Sequence, residues 1–422
     1  MPNKKIKIIA ITDLEHSAPR ISNLLYYLDD NLFDKFVIGS DYDGYLNQDD
    51  MPINFDKKIK LLTFKRKINF YRSIKKSVPL NNINSGPRFS SFFLLIKKLF
   101  LKIFLNLSFP DQYIFTLKNY IKIFNDNFLN LNEKIIIVSS FPYATSHIAA
   151  YKIKKNNKNV VWIADYRDLW SKNQVYSFVR LRYLLDSMIE KKIMKYPDKI
   201  LTVTNPWAQK QQNFLKKEVD VIYNGYQELS KSNLTQQNLP ELQEEKIYVL
   251  YVGAIYFKGQ DVNLFFESIT NLKSKNIEFH FMGKHYDELS NLIDRFSVGD
   301  NVKHIGQYSR KDSQNIQKKY DYLMFFDFHT DSAVLTLKLF EYIGVNKPII
   351  CIGGKKNSEA KKILNQISRG FILEKEDQII DFFENKITKE GMSVDEQKSS
   401  MFSYRYRAQQ LEELIFNLIN KR

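Results

Sequence analysis

Short runs of β-branched and aliphatic residues, each closed by a polar loop and followed by an apolar-periodic helix, recur along this chain and constrain its fold more than any other feature. Ile6 to Thr12 is the first such run; Asp13 to Arg20 reads as its loop, and a helix begins near Ile21. The pattern returns at Lys134 to Val138, Val160 to Ala164, Asp198 to Val203 and Val219 to Tyr223. It restarts at Ile247 to Val252 and continues through Glu278 to Met282, Val302 to Ile305, Tyr322 to Phe326 and Ile349 to Ile352. Strands that are apolar on both faces and alternate with helices make parallel, doubly wound α/β sheets. A chain of 422 residues can build two such domains, each with its own core. The turn pair Asn224-Gly225 and the polar, non-periodic stretch Gln227 to Glu245 mark the break. The expected division is a first domain over 1–225, a linker over 226–245, a second domain over 246–399, and a terminal segment over 400–422 containing the amphipathic helix Tyr404 to Ile419.

The formal charge of +16 admits nucleic acid, an anionic membrane surface or an acidic substrate as partner. No nucleic-acid recognition module is visible, so the first is carried by charge alone. Cys351 is the only cysteine and cannot form an internal disulfide, which suits a reducing, cytoplasmic location. The apolar run Ile8 to Ile11 is too short for a signal peptide. The stretch 89–109 is the oddest in composition: Phe, Leu and Ile interrupted by Lys97, Lys98 and Lys102, which fall within an arc of about 140° on a helical wheel. It reads equally as a core helix with snorkelling lysines or as an interfacial helix on an anionic inner membrane.

In doubly wound sheets ligands gather at the carboxyl ends of the strands. In the first half these ends bring His16 and Arg20, Ser140, and the run Asp165-Tyr166-Arg167-Asp168. Two carboxylates flanking a guanidinium could grip a hydroxyl acceptor and a phosphate together, or close a loop as an ion-pair knot. In the second half they bring Gly253 with Lys258, Gly283, Gly306, and the loop containing His329, Asp331 and Ser332. A glycine at a strand end lets a ligand approach the backbone, and a lysine supplies a point charge for phosphate. Then comes Thr336-Leu337-Lys338-Leu339-Phe340-Glu341-Tyr342, a short helix with Lys338 and Glu341 on one face and Leu335, Leu339 and Tyr342 able to turn inward. A cation and an acid near a helix amino terminus can seat a diphosphate and neighbouring sugar hydroxyls. No convincing metal-ligand cluster is present.

The string K-L-F-E-Y followed by K-P-I-I, together with S-S-x-P, W-I-A-D-Y-R-D-L-W-S and G-x-x-x-x-K-G, resembles the GT-B glycosyltransferases, in particular retaining enzymes of the family-4 type. The resemblance implies two Rossmann-like domains facing across a cleft, with the terminal helix crossing back over the first. It implies a nucleotide-sugar donor held by Gly253, Lys258, Gly283, Gly306, Ser332, Lys338, Leu339 and Glu341, the last gripping ribose hydroxyls. Lys258 and Lys338 would offset charge on the departing diphosphate without any metal or other cofactor. Asp165, Arg167 and Asp168, with His16, Arg20 and Ser140 nearby, would position a saccharide or lipid-linked saccharide acceptor in bacterial surface-polysaccharide biosynthesis. Two positions depart from the family pattern: Ala333 stands where many members carry a second Glu, and Ala254 where many carry a basic residue. Both leave open a catalytically silent nucleotide-sugar-binding subunit.

Overall fold

The computed structural model describes residues 5–12, 14–41, 54–65, 109–173, 180–228, 241–257, 259–273, 276–284, 286–389 and 396–421. It divides into two compact units, one formed by Met1–Val203, Trp207–Val221 and Glu412–Arg422, the other by Thr204–Pro206 and Ile222–Leu411. Each unit is built on its own parallel sheet.

The first sheet contains β1 (Ile6–Ile11), β2 (Phe33–Asp41), β3 (Lys60–Lys65), β4 (Ile135–Phe141), β5 (Val160–Tyr166), β6 (Lys199–Thr202) and β7 (Asp220–Val221), in the order β3-β2-β1-β4-β5-β6-β7. Every residue of β4 and β5 is buried, as the continuous aliphatic runs require of strands covered on both faces. The helices Leu117–Phe128 and Ala144–Asn156 add Tyr120, Phe124, Phe128, Ala149 and Ile153 to this core. Within the same unit the end of the terminal helix Tyr404–Asn420 packs Phe416 on Phe33, and Glu412 accepts a hydrogen bond from the Asp29 backbone N–H at 2.6 Å.

The second sheet contains β8 (Ile247–Val252), β9 (Ile277–Met282), β10 (Val302–His304), β11 (Tyr322–Phe326), β12 (Ile349–Ile352) and β13 (Gly370–Leu373), in the order β10-β9-β8-β11-β12-β13. All its pairings are parallel. Two doubly wound sheets are what the alternating runs lead one to expect.

Several elements differ from the sequence reading. Strands β2, β3 and β13 and the helix Leu117–Phe128 are not anticipated there. In β2 the apolar pattern is broken by Lys35, yet that lysine is buried and its ammonium is satisfied by the Leu28 carbonyl at 2.6 Å and by Asp30. The first helix begins at Leu14, not near Ile21, with Pro19 inside it and the Pro19 carbonyl taken by the Asn23 side chain at 2.6 Å. Strands β4 and β5 run on to Phe141 and Tyr166, because Ser140 and Asp165 are register partners whose side chains satisfy each other across the sheet. Of the basic, apolar stretch 89–109, all but Phe109 lies outside the described residues. Among the described residues no helix is long and apolar enough to cross a membrane.

Candidate functional site

The strand order of the second sheet reverses direction between β8 and β11, and the residues following those strands converge at their carboxyl ends. Gly253 follows β8 and donates its N–H to the Met282 carbonyl at 2.7 Å; Gly283 follows β9 and donates to the Gly306 carbonyl at 2.9 Å. All three glycines have positive φ, +92°, +144° and +97° in turn. At Gly283 a Cβ would sit 2.9 Å from the Gly253 carbonyl oxygen, so nothing larger than glycine fits between these two strand ends. At Gly253 the neighbour is the Lys338 side chain, 3.5 Å from where a Cβ would lie.

Lys338 belongs to the helix Leu337–Val345, whose inner face buries Leu339, Phe340, Tyr342 and Ile343. The Tyr342 hydroxyl accepts from the Val252 N–H at 2.8 Å and donates to the Met324 carbonyl at 3.1 Å, pinning the helix to β8 and β11. With that face fixed, Lys338 turns back over the strand end. Its ammonium lies 3.6 Å from the centroid of the Tyr251 ring and 3.4 Å from the Ala254 carbonyl. Burial pushes its pKa down to about 7, against the opposing pull of Glu341. Glu341, three residues on, is partly exposed and pairs with Arg310 at 2.9 Å. Arg310 opens the helix Arg310–Gln317 directly after its N-cap Ser309. The sequence places Arg310 only at the end of the junction Gly306 to Arg310, which by the family resemblance approaches the nucleobase through backbone groups; its place just after a serine cap in the loop that follows β10 is the signal that could have marked its side chain.

Leu339 also stands among the expected donor residues, but its side chain is buried in the core cluster of β8, β11 and β12, leaving only its backbone to meet a ligand. The Ser332 carbonyl accepts from the Glu359 N–H at 2.9 Å. His329 is held by Asp261 at 2.8 Å, and Asp331 accepts from the Ala333 N–H at 2.9 Å. Lys258 lies outside the described residues. A separate hollow of about 490 Å³, lined by Phe257, Gln260, Asp261, Glu288, Arg295 and His329 among others, has neither Lys338 nor Glu341 in its wall. Among the described residues no three His, Cys, Asp or Glu side chains gather as a metal-ligand set.

In the first unit the expected acceptor-side residues separate into two groups. Asp165, at the end of β5, pairs with Arg20 and not with Arg167: Arg20 Nη2 reaches Asp165 Oδ1 at 2.8 Å and Nε lies 3.1 Å from both oxygens. Ser140 donates to Asp165 Oδ2 at 3.0 Å. Both charged partners have side chains only 1% exposed, so this carboxylate is held inside the unit in an ion-pair knot with Arg20 and Ser140, a different set from the Asp165-Arg167-Asp168 run that the sequence joins. Arg167 instead lies 3.3 Å from Asp168, and both are partly exposed. His16 lies in the first helix, and its side chain is not among those described.

Next to the knot, His147 is fully buried, with Nδ1 2.7 Å from Ser139 Oγ, which also accepts from the Trp162 indole at 2.7 Å. Burial pushes the imidazole pKa down to about 3, against the opposing Asp165 charge. The unfolded chain therefore protonates this group first as pH falls below about 6.5, and folding loses about 1.4 kcal/mol per pH unit from there. The expected result is a urea midpoint that drops between about pH 6.5 and pH 4.5, with a visibly shallower drop in His147→Gln.

Comparison with known proteins bears on the fold first. Over nearly its whole length the chain superposes on sucrose-phosphate synthase from Thermosynechococcus elongatus (TM-score 0.63, 14% identity, 99% of this chain and 100% of that one). It does so also on Anabaena Alr3699/HepE in complex with UDP (0.60, 10%, 98% and 100%) and on a glycosyltransferase from Rickettsia africae (0.60, 13%, 99% and 100%). No curated protein sequence matches. At these identities the likeness shows a shared fold. The chain thus has the GT-B architecture of two parallel-sheet α/β units, and its residues 234–392, which carry Gly253, Arg310, Lys338 and Glu341, match the model of the family described as Glycosyl transferases group 1.

Proposed function

We propose that this protein is a glycosyltransferase that moves a sugar from a nucleotide-sugar donor to a saccharide or lipid-linked saccharide, with retention at the anomeric carbon, on the cytoplasmic face of a bacterial membrane in surface-polysaccharide synthesis. The observation that carries the reading is the meeting of the Lys338 ammonium, the Arg310–Glu341 pair and the Gly253–Gly283 strand ends at the reversal point of one sheet. A diphosphate seated there would find a cation above and bare backbone beneath. As the sugar–phosphate bond breaks, negative charge grows on the departing diphosphate, and a pre-placed ammonium stabilises that charge more than it stabilises the intact donor. Glu341 would accept from the ribose hydroxyls, with Arg310 holding the carboxylate in place. Arg167 and Asp168, the partly exposed pair of the first unit, are the residues left to meet an acceptor hydroxyl. The cations named here would supply the charge that a metal supplies elsewhere, so activity that survives chelation by EDTA supports the reading.

The test begins with thermal shifts against UDP-, GDP-, ADP- and CMP-sugars, where one selective stabilisation names the donor. Labelled donor is then offered with membrane extracts, and proton NMR of the product reads the anomer. Selective binding without any transfer would leave the silent-subunit reading in place, and an inverted anomer would remove retention. Replacing Glu341 with Ala is expected to weaken binding of the selected nucleotide about tenfold to a hundredfold, as the loss of charge-assisted bonds to two hydroxyls implies. Titration calorimetry reads that change.

A further inference from the structure

The helix Arg180–Ile193 buries charged side chains beside Ile189 and Ile193 while it turns large apolar ones to solvent. On its inward face Arg182 pairs with Asp186 at 3.1 Å, lies over the Phe109 ring and donates to the Pro110 carbonyl. Glu190 accepts from the Tyr166 hydroxyl at 2.9 Å, from Gln211 at 3.1 Å and from the Ser171 N–H at 3.0 Å. Arg182, Asp186 and Glu190 are all buried. The outward face is apolar: Leu181, Leu184, Leu185 and Met188 are 68%, 49%, 42% and 67% exposed. At 100° per residue these four fall within an arc of about 100°. The remaining exposed residues of the helix are Arg180, Lys191 and Lys192, so no exposed carboxylate lies on it.

We propose that this face seats the protein on an anionic lipid surface, with the leucines and Met188 at the acyl boundary and Arg180, Lys191 and Lys192 among the headgroups. Four large apolar side chains in one stripe exceed the scattered exposure of an ordinary surface. Cations without acids beside such a stripe are the pattern of an interfacial helix. A second copy of the chain is the poorer occupant, because a twofold contact through this face would bring its cations together with no acid to meet them. The inward contacts explain how the stripe is kept outward: turning the helix over would bury four apolar side chains at the expense of an ion pair, the Glu190 hydrogen bonds and the packing of Ile189 and Ile193.

The proposal stands on this helix and not on the donor-site reading, and its test needs no nucleotide or sugar. Full-length protein is floated with vesicles of phosphatidylcholine alone and of phosphatidylcholine with phosphatidylglycerol. Binding is expected only to the second, weakening as salt rises. The double variant Leu184→Glu/Met188→Glu is expected to lower partitioning about tenfold or more, and Lys191→Glu/Lys192→Glu by a similar factor. Because all four positions are exposed, both variants should melt at the wild-type temperature. No flotation, equal flotation with neutral vesicles, or variants that float like wild type would overturn the proposal. So would a dimer, seen by light scattering without lipid, that the leucine–methionine variant dissolves.

Discussion

Replacing Asp165 with Asn is expected to lower the free energy of unfolding by about 3–5 kcal/mol, seen as a lower urea midpoint at unchanged slope. Asparagine keeps the shape and can still take the Ser140 hydrogen bond, but it takes a buried carboxylate charge away from the buried Arg20 guanidinium. The desolvation that this carboxylate offsets is then offset less. The double variant Arg20→Met/Asp165→Leu should recover much of the loss, since an apolar pair of similar volume has no charge left to desolvate. Arg167→Ala, by contrast, removes a partly exposed side chain and should shift stability by no more than about 1 kcal/mol while raising the acceptor KM. If Asp165→Asn instead melted like wild type and lost acceptor binding, the knot would be an acceptor site after all.

That contrast shows how much the sequence could tell. The alternation of aliphatic runs and helices made the two parallel sheets legible, and the strand ends named nearly every residue that the second unit gathers. What it could not tell was partnership. Asp165 and Arg167 are two apart in a strand ending, which invites pairing them, yet the side chain opposite Asp165 comes from Arg20, 145 residues earlier. The strand order β1-β4-β5, with the helix that follows β1 delivering Arg20 to the end of β5, decides this, and no local spacing encodes it. Glu341 is a similar case: its partner Arg310 precedes it by a whole strand-and-loop excursion. The orientation of the helix Arg180–Ile193 is another such case: the groups that hold Glu190 inward, the Tyr166 hydroxyl, the Ser171 N–H and Gln211, come from other elements, so no spacing within the helix announces which face is buried.

Replacing Lys338 with Met is expected to reduce turnover about a hundredfold to a thousandfold, the range for removing one pre-placed charge from a developing anion. Methionine keeps the length and polarizability of the stem over the Tyr251 ring, so the loss measures charge and not packing. The variant without ligand should melt higher than wild type near pH 7, because the burial that pulls the ammonium down to about 7 acts against its charged form in the folded state. The pH dependence separates this role from a structural one. In the free protein Lys338 is about half charged at pH 7; a bound diphosphate favours the ammonium and raises its pKa. Nucleotide binding therefore takes up a proton above pH 7, and affinity falls towards tenfold per pH unit until the pKa of the complex is reached. Calorimetry in buffers of different ionisation heat counts that proton directly. Lys338→Met should bind more weakly, with no such uptake and a flatter affinity profile; an unchanged proton count in the variant would assign the titration to another group and leave Lys338 without the charge-bearing role.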